Sequence, residues 1–441
     1  MAETLRFPDW SSLSPDDRAR GVEQCRRRVR GIGRRLHAVV DELPDTPQIE
    51  GPLSGLPYVA KDMIGTGMAA PHWGCTLPMQ AISPPADVID RLSNAGACLI
   101  ATSEMTELAY EPSGINPSRG NVLNPWNDEF APGGSSSGSA ALVASGCCFA
   151  ALGSDTGGSV RIPAHCCGVT ALKSSWGEIP VAGTMPLSPS LDTIGILART
   201  TSDVAKVWSA LTGKPGRPHM SFKSAAIMED AFADCHPEVA RPCRAAIDVL
   251  ARTGIQIVGR NGFPEEADKN CLVVMQAEAA RSHTMRLDDE RIDAVLRKRL
   301  RKGLSTTNEQ LARALAESGR LRDEFIDRYL CSAAVAVLPV MPIRTPRIDE
   351  VDPASPRFTA RTLYALSRLT RFVNYLGLPT LAIPVGFDDR NMPVGLQLVG
   401  TPNSEAVLLQ IGEKFQTMTD WHGRVPRAVA AEIAAEKGLV A

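Results

Sequence analysis

The chain has 441 residues, of which 44% are hydrophobic and 22% charged, with a formal net charge of −2 at pH 7. This balance is typical of a globular enzyme and excludes a disordered chain. The near-neutral charge disfavours nucleic acid or an anionic membrane as a partner. No apolar run is long enough for a transmembrane helix, no CxxC spacing indicates zinc or redox exchange, and the opening stretch lacks the pattern of a secretory signal. We therefore expect a cytoplasmic protein with reduced thiols.

The first predicted element is an amphipathic helix between Val22 and Leu43, because apolar residues recur there at steps of three and four. The segments 56–62 and 98–102 are predicted strands on either side of a helix that ends near Gly96. A strand–helix–strand order predicts a largely parallel sheet. The alternation continues to about residue 213 with a helix at 137–146, a strand at 149–155, and a strand at 191–200 followed by a helix.

The second half is predicted to be helical first and to return to strands later. From 215 to 330 an amphipathic, charged pattern predicts helices laid over the sheet. The apolar run at 334–343 predicts a buried strand, and 376–400 predicts a hairpin that turns at 388–391. The fold class is therefore α/β, with a mixed, mainly parallel central sheet covered by helices in a single large domain.

A stretch rich in glycine and serine, APGGSSSGSAALVASG at residues 131–146, leads into one of the predicted helices. A flexible linker is disfavoured because the stretch lies between a proline-containing loop and an apolar run. A phosphate-binding loop is disfavoured because neither GxxxxGK[ST] nor GxGxxG is present. Residues 134–138 match the GxSxG nucleophile elbow of α/β-hydrolases, which also need an aspartate and a histidine. In that fold the histidine follows the serine in the chain, and the histidines that do so here, none in a distinctive setting, are His165, His219, His236, His283 and His422.

A second glycine–serine turn, GSDTGGSVRIPA at residues 153–164, again follows a predicted strand. Glycines beside Ser159 allow backbone N–H groups to converge next to a serine hydroxyl, as an oxyanion site requires. Two serine turns joined by one helix predict that two serines meet in space. The missing base can be Lys61, at the end of an apolar strand, because burial lowers the pKa of a lysine towards that of a neutral amine.

Taken together, these stretches resemble the amidase signature family, serine hydrolases that use a Ser-cisSer-Lys triad. The matching segments are GLPYVAKD, PGGSSSGSAALVASG, GSDTGGSVRIPA, SLDTIG, LGLPTLAIPVGF and PVGLQLVG. They span residues 51 to about 412, and 215–330 matches only loosely. The resemblance implies the amidase signature fold over 1–441, with an N-terminal helical region (1–50), a catalytic core (51–213), a helical covering segment (215–333), and C-terminal strands and helices that complete the sheet (334–441).

The resemblance implies a role for each member of the triad. Ser159 becomes the nucleophile and Lys61 the base. The spacing of the two serines in the family places the bridging serine at Ser135, rather than at either of the two serines that follow it, and implies a cis peptide bond between Gly134 and Ser135. The side chain of Asp62 is expected to face away from Lys61, because successive side chains alternate along a strand.

Further residues are implied to support this triad. The oxyanion site is expected to use the backbone N–H groups of Thr156, Gly157, Gly158 and Ser159. Asp155 and Arg161 are expected to hold the turn in shape, and Asp192 is expected to be structural. The substrate pocket is expected to be lined by the loops after Lys61, at 110–114 and at 183–190, and by the helical segment.

The resemblance implies an amidohydrolase that cleaves the C–N bond of a small-molecule amide, carbamate or urea through an acyl-enzyme on Ser159. It implies no cofactor, no metal, no nucleic acid and no membrane, and it is compatible with a homodimer. One alternative is the glutaminase (A-type) subunit of a tRNA-dependent amidotransferase, and a lesser one is an α/β-hydrolase-type esterase with a Ser-His-Asp triad. No carboxylate-bearing substrate is assigned, because Arg161 is the only arginine inside the signature and falls where the family has a structural arginine.

Overall fold

The computed structural model describes residues 3–4, 9–45, 49–216 and 224–435. The strands in these ranges are β1 (Glu3–Thr4), β2 (Val39–Glu42), β3 (Pro57–Lys61), β4 (Cys98–Ser103), β5 (Ala150–Asp155), β6 (Thr170–Lys173), β7 (Thr193–Ala198), β8 (Ser224–Met228), β9 (Gln256–Arg260), β10 (Val335–Pro339), β11 (Thr380–Phe387), β12 (Pro393–Val399) and β13 (Arg424–Val425).

The α-helices in the same ranges are α1 (Pro15–Arg28), α2 (Asp87–Asn94), α3 (Ser137–Ala144), α4 (Arg161–Cys167), α5 (Thr201–Thr212), α6 (Glu229–Ala233), α7 (Pro237–Arg252), α8 (Glu265–Ser282), α9 (Ala294–Gly303), α10 (Asn308–Ala316), α11 (Ser318–Phe325), α12 (Ile348–Val351), α13 (Ala360–Ala365), α14 (Arg371–Tyr375), α15 (Glu405–Thr417) and α16 (Arg427–Ala435). In the described part of the chain, no helix combines the length and the apolar character needed to cross a bilayer.

Eleven strands form one sheet in the order β2-β4-β3-β5-β7-β6-β11-β12-β10-β8-β9, while β1 pairs with β13. Four of the ten neighbouring pairs described in this sheet are parallel, namely β3 with β4 and β5, and β8 with β9 and β10. The other pairs are antiparallel and include the whole centre of the sheet. The predicted mixed α/β sheet is thus confirmed, with its parallel pairs gathered in two blocks and their share smaller than expected.

The elements around the two serine turns match their prediction closely. β3, α2 and β4 form the expected strand–helix–strand unit, in which β3 and β4 are parallel. The helix α3 begins directly after the first serine turn, and β5 ends directly before the second. The C-terminal hairpin is also confirmed, since β11 and β12 pair antiparallel across the turn at 388–391.

The helix predicted between Val22 and Leu43 is wrong in its last part. The helical stretch continues from α1 through a π-helical segment, Val29–Gly33, but does not reach Val39. His37 has a φ of 53°, a left-handed conformation that ends a helix. The residues of β2 then pair with β4 at the edge of the sheet. The apolar spacing fitted a helix, but the edge pairing determines the structure here.

The segment 215–333 was predicted to be helical, but the structure shows that it is only partly so. Residues 217–223 of this segment lie outside the described ranges. It contributes β8 and β9, which extend the sheet beyond β10 as parallel strands. Both strands have only five residues, and their sequences SAAIM and QIVGR contain alanine and glycine, which have low strand propensity. Their pairing with neighbouring strands decides their conformation.

The strands β8 and β10 separate two hydrophobic cores. Ala225 and Ile227 lie in the larger core, while Ala226 and Met228, which alternate with them, lie in the smaller one. The smaller core is built mainly with α8, α10, α11 and α14. The helices α8, α10 and α11 of the helical segment are therefore packed on one face of the sheet, whereas α7, with Val239 and Leu250 in the larger core, is packed on the other.

Candidate active site

The two serine turns meet because they follow neighbouring strands. β3 and β5 run parallel, so the Lys61 end of β3 and the turn after Asp155 lie at the same edge of the sheet. The backbone N–H of Ser136 donates to the carbonyl of Ser159 at 3.2 Å, which joins the first turn to the second. The predicted meeting of two serine turns is thus seen in the backbone itself.

Lys61 is fully buried and lies between two serine hydroxyls. Its Nζ is 2.6 Å from Ser135 Oγ and 2.8 Å from Ser154 Oγ. Burial lowers the pKa of Lys61 to about 7, although the carboxylates of Asp155 and Asp192 oppose the shift. A large fraction of this amine is therefore neutral at physiological pH and can accept a proton.

The neighbouring carboxylate, Asp62, stays clear of this amine as predicted. Its Oδ2 accepts the backbone N–H groups of His72 at 2.7 Å and Trp73 at 3.0 Å. No carboxylate forms an ion pair with Lys61 in the described part of the chain. The lysine is therefore held by hydroxyl groups, which leave it uncharged more readily than a carboxylate would.

The first turn presents Ser135 to the lysine through a close backbone approach. The peptide bond between Gly134 and Ser135 is cis, as the resemblance implied. A Cβ at position 134 would lie 2.5 Å from the carbonyl oxygen of Glu111, so only glycine fits there. The carbonyl of Ser135 accepts the N–H of Thr106 at 3.2 Å. The backbone on both sides of the hydroxyl is thus fixed.

The second turn is held by a buried ion pair between Asp155 and Arg161. The guanidinium donates from Nε and Nη2 to the carboxylate, at 3.0 Å each, and both side chains are fully buried. Burial raises the pKa of Asp155, but the charge and hydrogen bonds of Arg161 outweigh it and hold that pKa well below its ordinary value. Arg161 also donates to Asn374 Oδ1 at 2.6 Å and to Gln397 Oε1 at 3.1 Å. Its donors are thus committed to the protein.

One of the four N–H groups predicted for the oxyanion site is already used. The N–H of Gly158 donates to Asp155 Oδ1 at 2.8 Å, which corrects its assignment to the oxyanion site. Gly158 has a φ of 131°, and a Cβ there would overlap Thr370, so its glycine serves the shape of the turn. Over the described ranges, the N–H groups of Thr156, Gly157 and Ser159 have no protein acceptor. These three remain candidates for binding an oxyanion.

Ser159 lines a narrow cavity of about 50 Å³. The side chains around it are mostly apolar, and Ser159 itself is 9% exposed. Within the described residues, no hydrogen bond joins the hydroxyls of Ser135 and Ser159, whose turns meet through the backbone. The cavity is lined by Ala109, Tyr110, Pro112, Thr156, Gly157, Ser159, Ile162, Leu187, Leu272, Met275, Gln276, Arg299, Leu363, Tyr364 and Ser367.

The predicted pocket loops are mostly found in this lining. Tyr110 and Pro112 come from the loop at 110–114, Leu187 comes from the loop at 183–190, and α8 and α9 represent the helical segment. The loop after Lys61 contributes no described lining residue. The segment 363–367 lines the cavity without having been predicted.

The loop at 183–190 is fixed from two sides. Asp192 accepts the hydroxyl of Thr156 at 2.6 Å and the N–H groups of Leu187 and Ser188 at 2.9 and 3.0 Å. Glu278 on α8 accepts the hydroxyl of Ser188 at 2.6 Å. Asp192 therefore has a structural role, as expected, because it links the second serine turn to a loop of the cavity.

Sequence reasoning missed two residues of the site. Ser154 precedes Asp155 in β5, and its contact with Lys61 could have been anticipated from the strand pairing alone, because β3 and β5 are neighbours. Arg299 is the one charged residue among the described residues that line the cavity. It lies outside every matching segment, so its place depends on how α9 packs, which no local pattern indicates.

The described part of the structure does not support the Ser-His-Asp alternative. His165 is buried in α4, and its Nδ1 accepts the N–H of Gly395 at 3.0 Å. Burial lowers the pKa of His165 to about 3. Among the described residues, no histidine forms a hydrogen bond with Ser135 or Ser159, and His219 lies outside them.

Comparison with known families agrees with this geometry. The profile of the Amidase family matches residues 38–409 of the chain. The chain belongs to the Amidase family. It is therefore an amide-hydrolysing enzyme, and the family membership excludes the α/β-hydrolase alternative.

Individual members of the Amidase family are similar over nearly the whole chain. The 2-amino-5-chloromuconic acid deaminase of Comamonas testosteroni is 33% identical over 85% of this chain and 84% of its own length. The A-type subunit of the glutamyl-tRNA(Gln) amidotransferase of Chloroflexus aggregans is 31% identical over 88% of this chain and 87% of its own. A crystal structure of an amidase superposes with a TM-score of 0.82 and 30% identity, over 90% of this chain and 95% of that one.

Proposed function

We propose that this amidase hydrolyses a small-molecule amide through an acyl-enzyme on Ser159, with Ser135 as proton relay and Lys61 as base. The observation that carries the proposal is the buried amine of Lys61, whose Nζ lies 2.6 Å from Ser135 Oγ. A neutral amine at hydrogen-bonding distance from a hydroxyl can take its proton, which is the first requirement for activating a serine.

The first half of the reaction forms the acyl-enzyme. Lys61 takes the proton of Ser135 as that serine takes the proton of Ser159, whose oxygen bonds to the amide carbonyl carbon. The N–H groups of Thr156, Gly157 and Ser159 stabilise the resulting oxyanion. The C–N bond then breaks, and the proton held by Lys61 returns through Ser135 to the departing amine.

The second half releases the acid. A water molecule gives its proton through the same relay as its oxygen attacks the acyl carbon, and the ester bond to Ser159 breaks with return of the proton to the serine. The relay requires the hydroxyl of Ser159 to rotate to within hydrogen-bonding distance of Ser135. Residues of the turn, above all Asp155 and Arg161, keep the backbone fixed during this rotation.

A glutaminase subunit is the second candidate, because A-type amidotransferase subunits are about as similar to this chain as the deaminase is. Free glutamine carries a positive α-ammonium group beside its carboxylate. No carboxylate side chain lines the described cavity, so this ammonium group lacks a counter-charge there. The lining therefore favours substrates without a cationic group.

The test compares serine variants of the purified chain on a panel of small amides, carbamates and ureas. We expect Ser159→Ala and Ser135→Ala each to lower kcat by more than about a thousandfold, because each breaks the relay. The matched control is Ser137→Ala, since Ser137 belongs to the same serine run and its buried hydroxyl has no partner in the described chain. Wild-type silence on the whole panel, or full activity in Ser159→Ala, would refute the proposal.

A further inference from the structure

The cavity that holds Ser159 contains a single cation, Arg299 of α9, among its described lining residues. Its Nη1 donates to Glu111 Oε2 at 2.6 Å, and its guanidinium lies 4.9 Å from the centre of the Tyr110 ring. Nε and Nη2 have no acceptor in the described part of the chain, and the side chain is 29% exposed. Part of the guanidinium fork is therefore free for a further acceptor, and Arg299 lines both this cavity and a neighbouring one that Glu107 and Glu111 also line.

Two contacts fix the helix that carries Arg299 to the catalytic core. At its start, the backbone N–H of Asp293 donates to both carboxylate oxygens of Glu107, at 3.0 and 3.2 Å. One turn and a half further on, Arg299 pairs with Glu111. Both acceptors lie in the segment that leads to the first serine turn. The guanidinium is therefore held in a set position relative to Ser159.

A guanidinium in this state is suited to a substrate carboxylate. Arginine has five N–H donors, so it can keep Glu111 and bind a second carboxylate through its free edge. It stays charged at every physiological pH. Arg161 cannot take this part, because it is fully buried and its donors already bind Asp155, Asn374 and Gln397.

We propose that Arg299 binds a carboxylate of the substrate, so that the enzyme prefers short dicarboxylic half-amides, which have an amide at one end and a free carboxylate at the other. This inference rests on the amide hydrolysis proposed above. The narrow cavity suits a short chain between the two groups. Its apolar walls, among them Ile162 and Met275, suit the methylene groups of such a chain.

The experiment measures kcat/KM for succinamate and for its neutral counterpart succinamide, with the three- and five-carbon pairs alongside. The wild-type enzyme is expected to prefer the half-amide by tenfold or more. Arg299→Gln is expected to lower this preference about 10- to 100-fold, as the loss of charge-assisted hydrogen bonds predicts. Arg299→Lys keeps the positive charge but lacks the forked guanidinium. Its preference for the half-amide is expected to lie between those of the wild type and Arg299→Gln.

The matched control is Arg301→Gln on the same helix. Arg301 also pairs with a carboxylate, that of Asp288, but it does not line the cavity. This variant should keep the wild-type preference. A wild-type enzyme without preference for the half-amide, or an Arg299→Gln enzyme that keeps the preference, overturns the inference. Hydrolysis of neither substrate by the wild type would instead point to failure of the proposed function. If Arg299→Gln does not fold, the ratio of kcat/KM for half-amide and diamide is compared between the wild type and Arg299→Lys instead. A wild-type preference that Arg299→Lys does not reduce would overturn the inference.

Discussion

Two buried lysines show that burial alone does not identify a base. Lys61 and Lys173 are both fully buried, and burial is the main cause that lowers the pKa of each to about 7. Lys173 donates to the carbonyl of Ser174 at 2.8 Å, a group that cannot give up a proton. Lys61 contacts serine hydroxyls instead. The partner atom, and not the pKa, distinguishes the two residues.

The pH dependence of the reaction should follow Lys61. Below a pKa of about 7 the amine is protonated and cannot accept the proton of Ser135, so kcat/KM should rise about tenfold per pH unit and level off above pH 7. Lys61→Ala should remove most of the rate together with this ionisation. Lys61→Arg should be no more active than Lys61→Ala, because an arginine stays charged and cannot accept the proton. Rate profiles from pH 5 to 9 measure both effects.

Lys173→Met is the control for this profile. It removes the other buried lysine with a similar pKa, so the rise of the rate around pH 7 should persist in this variant. A rise that disappears in Lys173→Met, or a Lys61→Arg enzyme close to wild type, would show that Lys61 does not act as the base.

The Asp155–Arg161 pair should contribute to stability as well as to the shape of the turn. Arg161→Gln leaves a buried carboxylate without its cation and should lower the free energy of unfolding by about 3–5 kcal/mol. Because Arg161 holds the pKa of Asp155 below its ordinary value, this contribution is fully present at pH 7 and is lost as the pH falls below about 3.9. Urea denaturation at pH 7 measures the difference.

An exposed ion pair provides the comparison. Arg320 pairs with Glu266, Glu317 and Glu324 on the surface, and Arg320→Gln should lower the free energy of unfolding far less. An equal decrease in the free energy of unfolding for Arg161→Gln and Arg320→Gln would mean that the buried pair stabilises the protein no more than an exposed one.

At the scale of elements, the packing of α9 on α8 positions one wall of the cavity. Gly303 lies at the end of α9, and a Cβ there would overlap the carbonyl of Gln276 on α8. Gly303→Ala should therefore displace α9, lower stability by about 1–3 kcal/mol and reduce activity on half-amides, because Arg299 moves with the helix. Thermal unfolding and kcat/KM measure the two effects.

The control for this element is a glycine with free space around it. Gly319 lies in α11, and the nearest atom to an added Cβ is the end of the Arg322 side chain at 4.0 Å. Gly319→Ala should leave activity unchanged and raise stability slightly, since alanine favours a helix. A Gly303→Ala enzyme that behaves like Gly319→Ala would show that α9 tolerates the extra atom without moving.

At the scale of the whole molecule, the sequence predicted best what is encoded locally. The strands and the helix next to the serine turns were recognisable, and so were Lys61 and the turn that contains Ser159, because each lies in a short pattern with a physical meaning. The edge strands β2 and β9, and the strand β8 between β9 and β10, were not, since their conformation depends on pairing with distant strands. Arg299 was not predicted to belong to the site, for a related reason. Its place in the cavity follows from tertiary packing and not from any neighbour in the chain.

Covalent trapping on the 441-residue chain tests directly whether Ser159 is the nucleophile. A fluorophosphonate probe reacts with an activated serine, and peptide mapping by mass spectrometry then identifies the modified residue. One adduct is expected, on Ser159, with labelling strongly slowed in Lys61→Ala and absent in Ser159→Ala. An adduct on another residue, or undiminished labelling of Ser159 in Lys61→Ala, would contradict it.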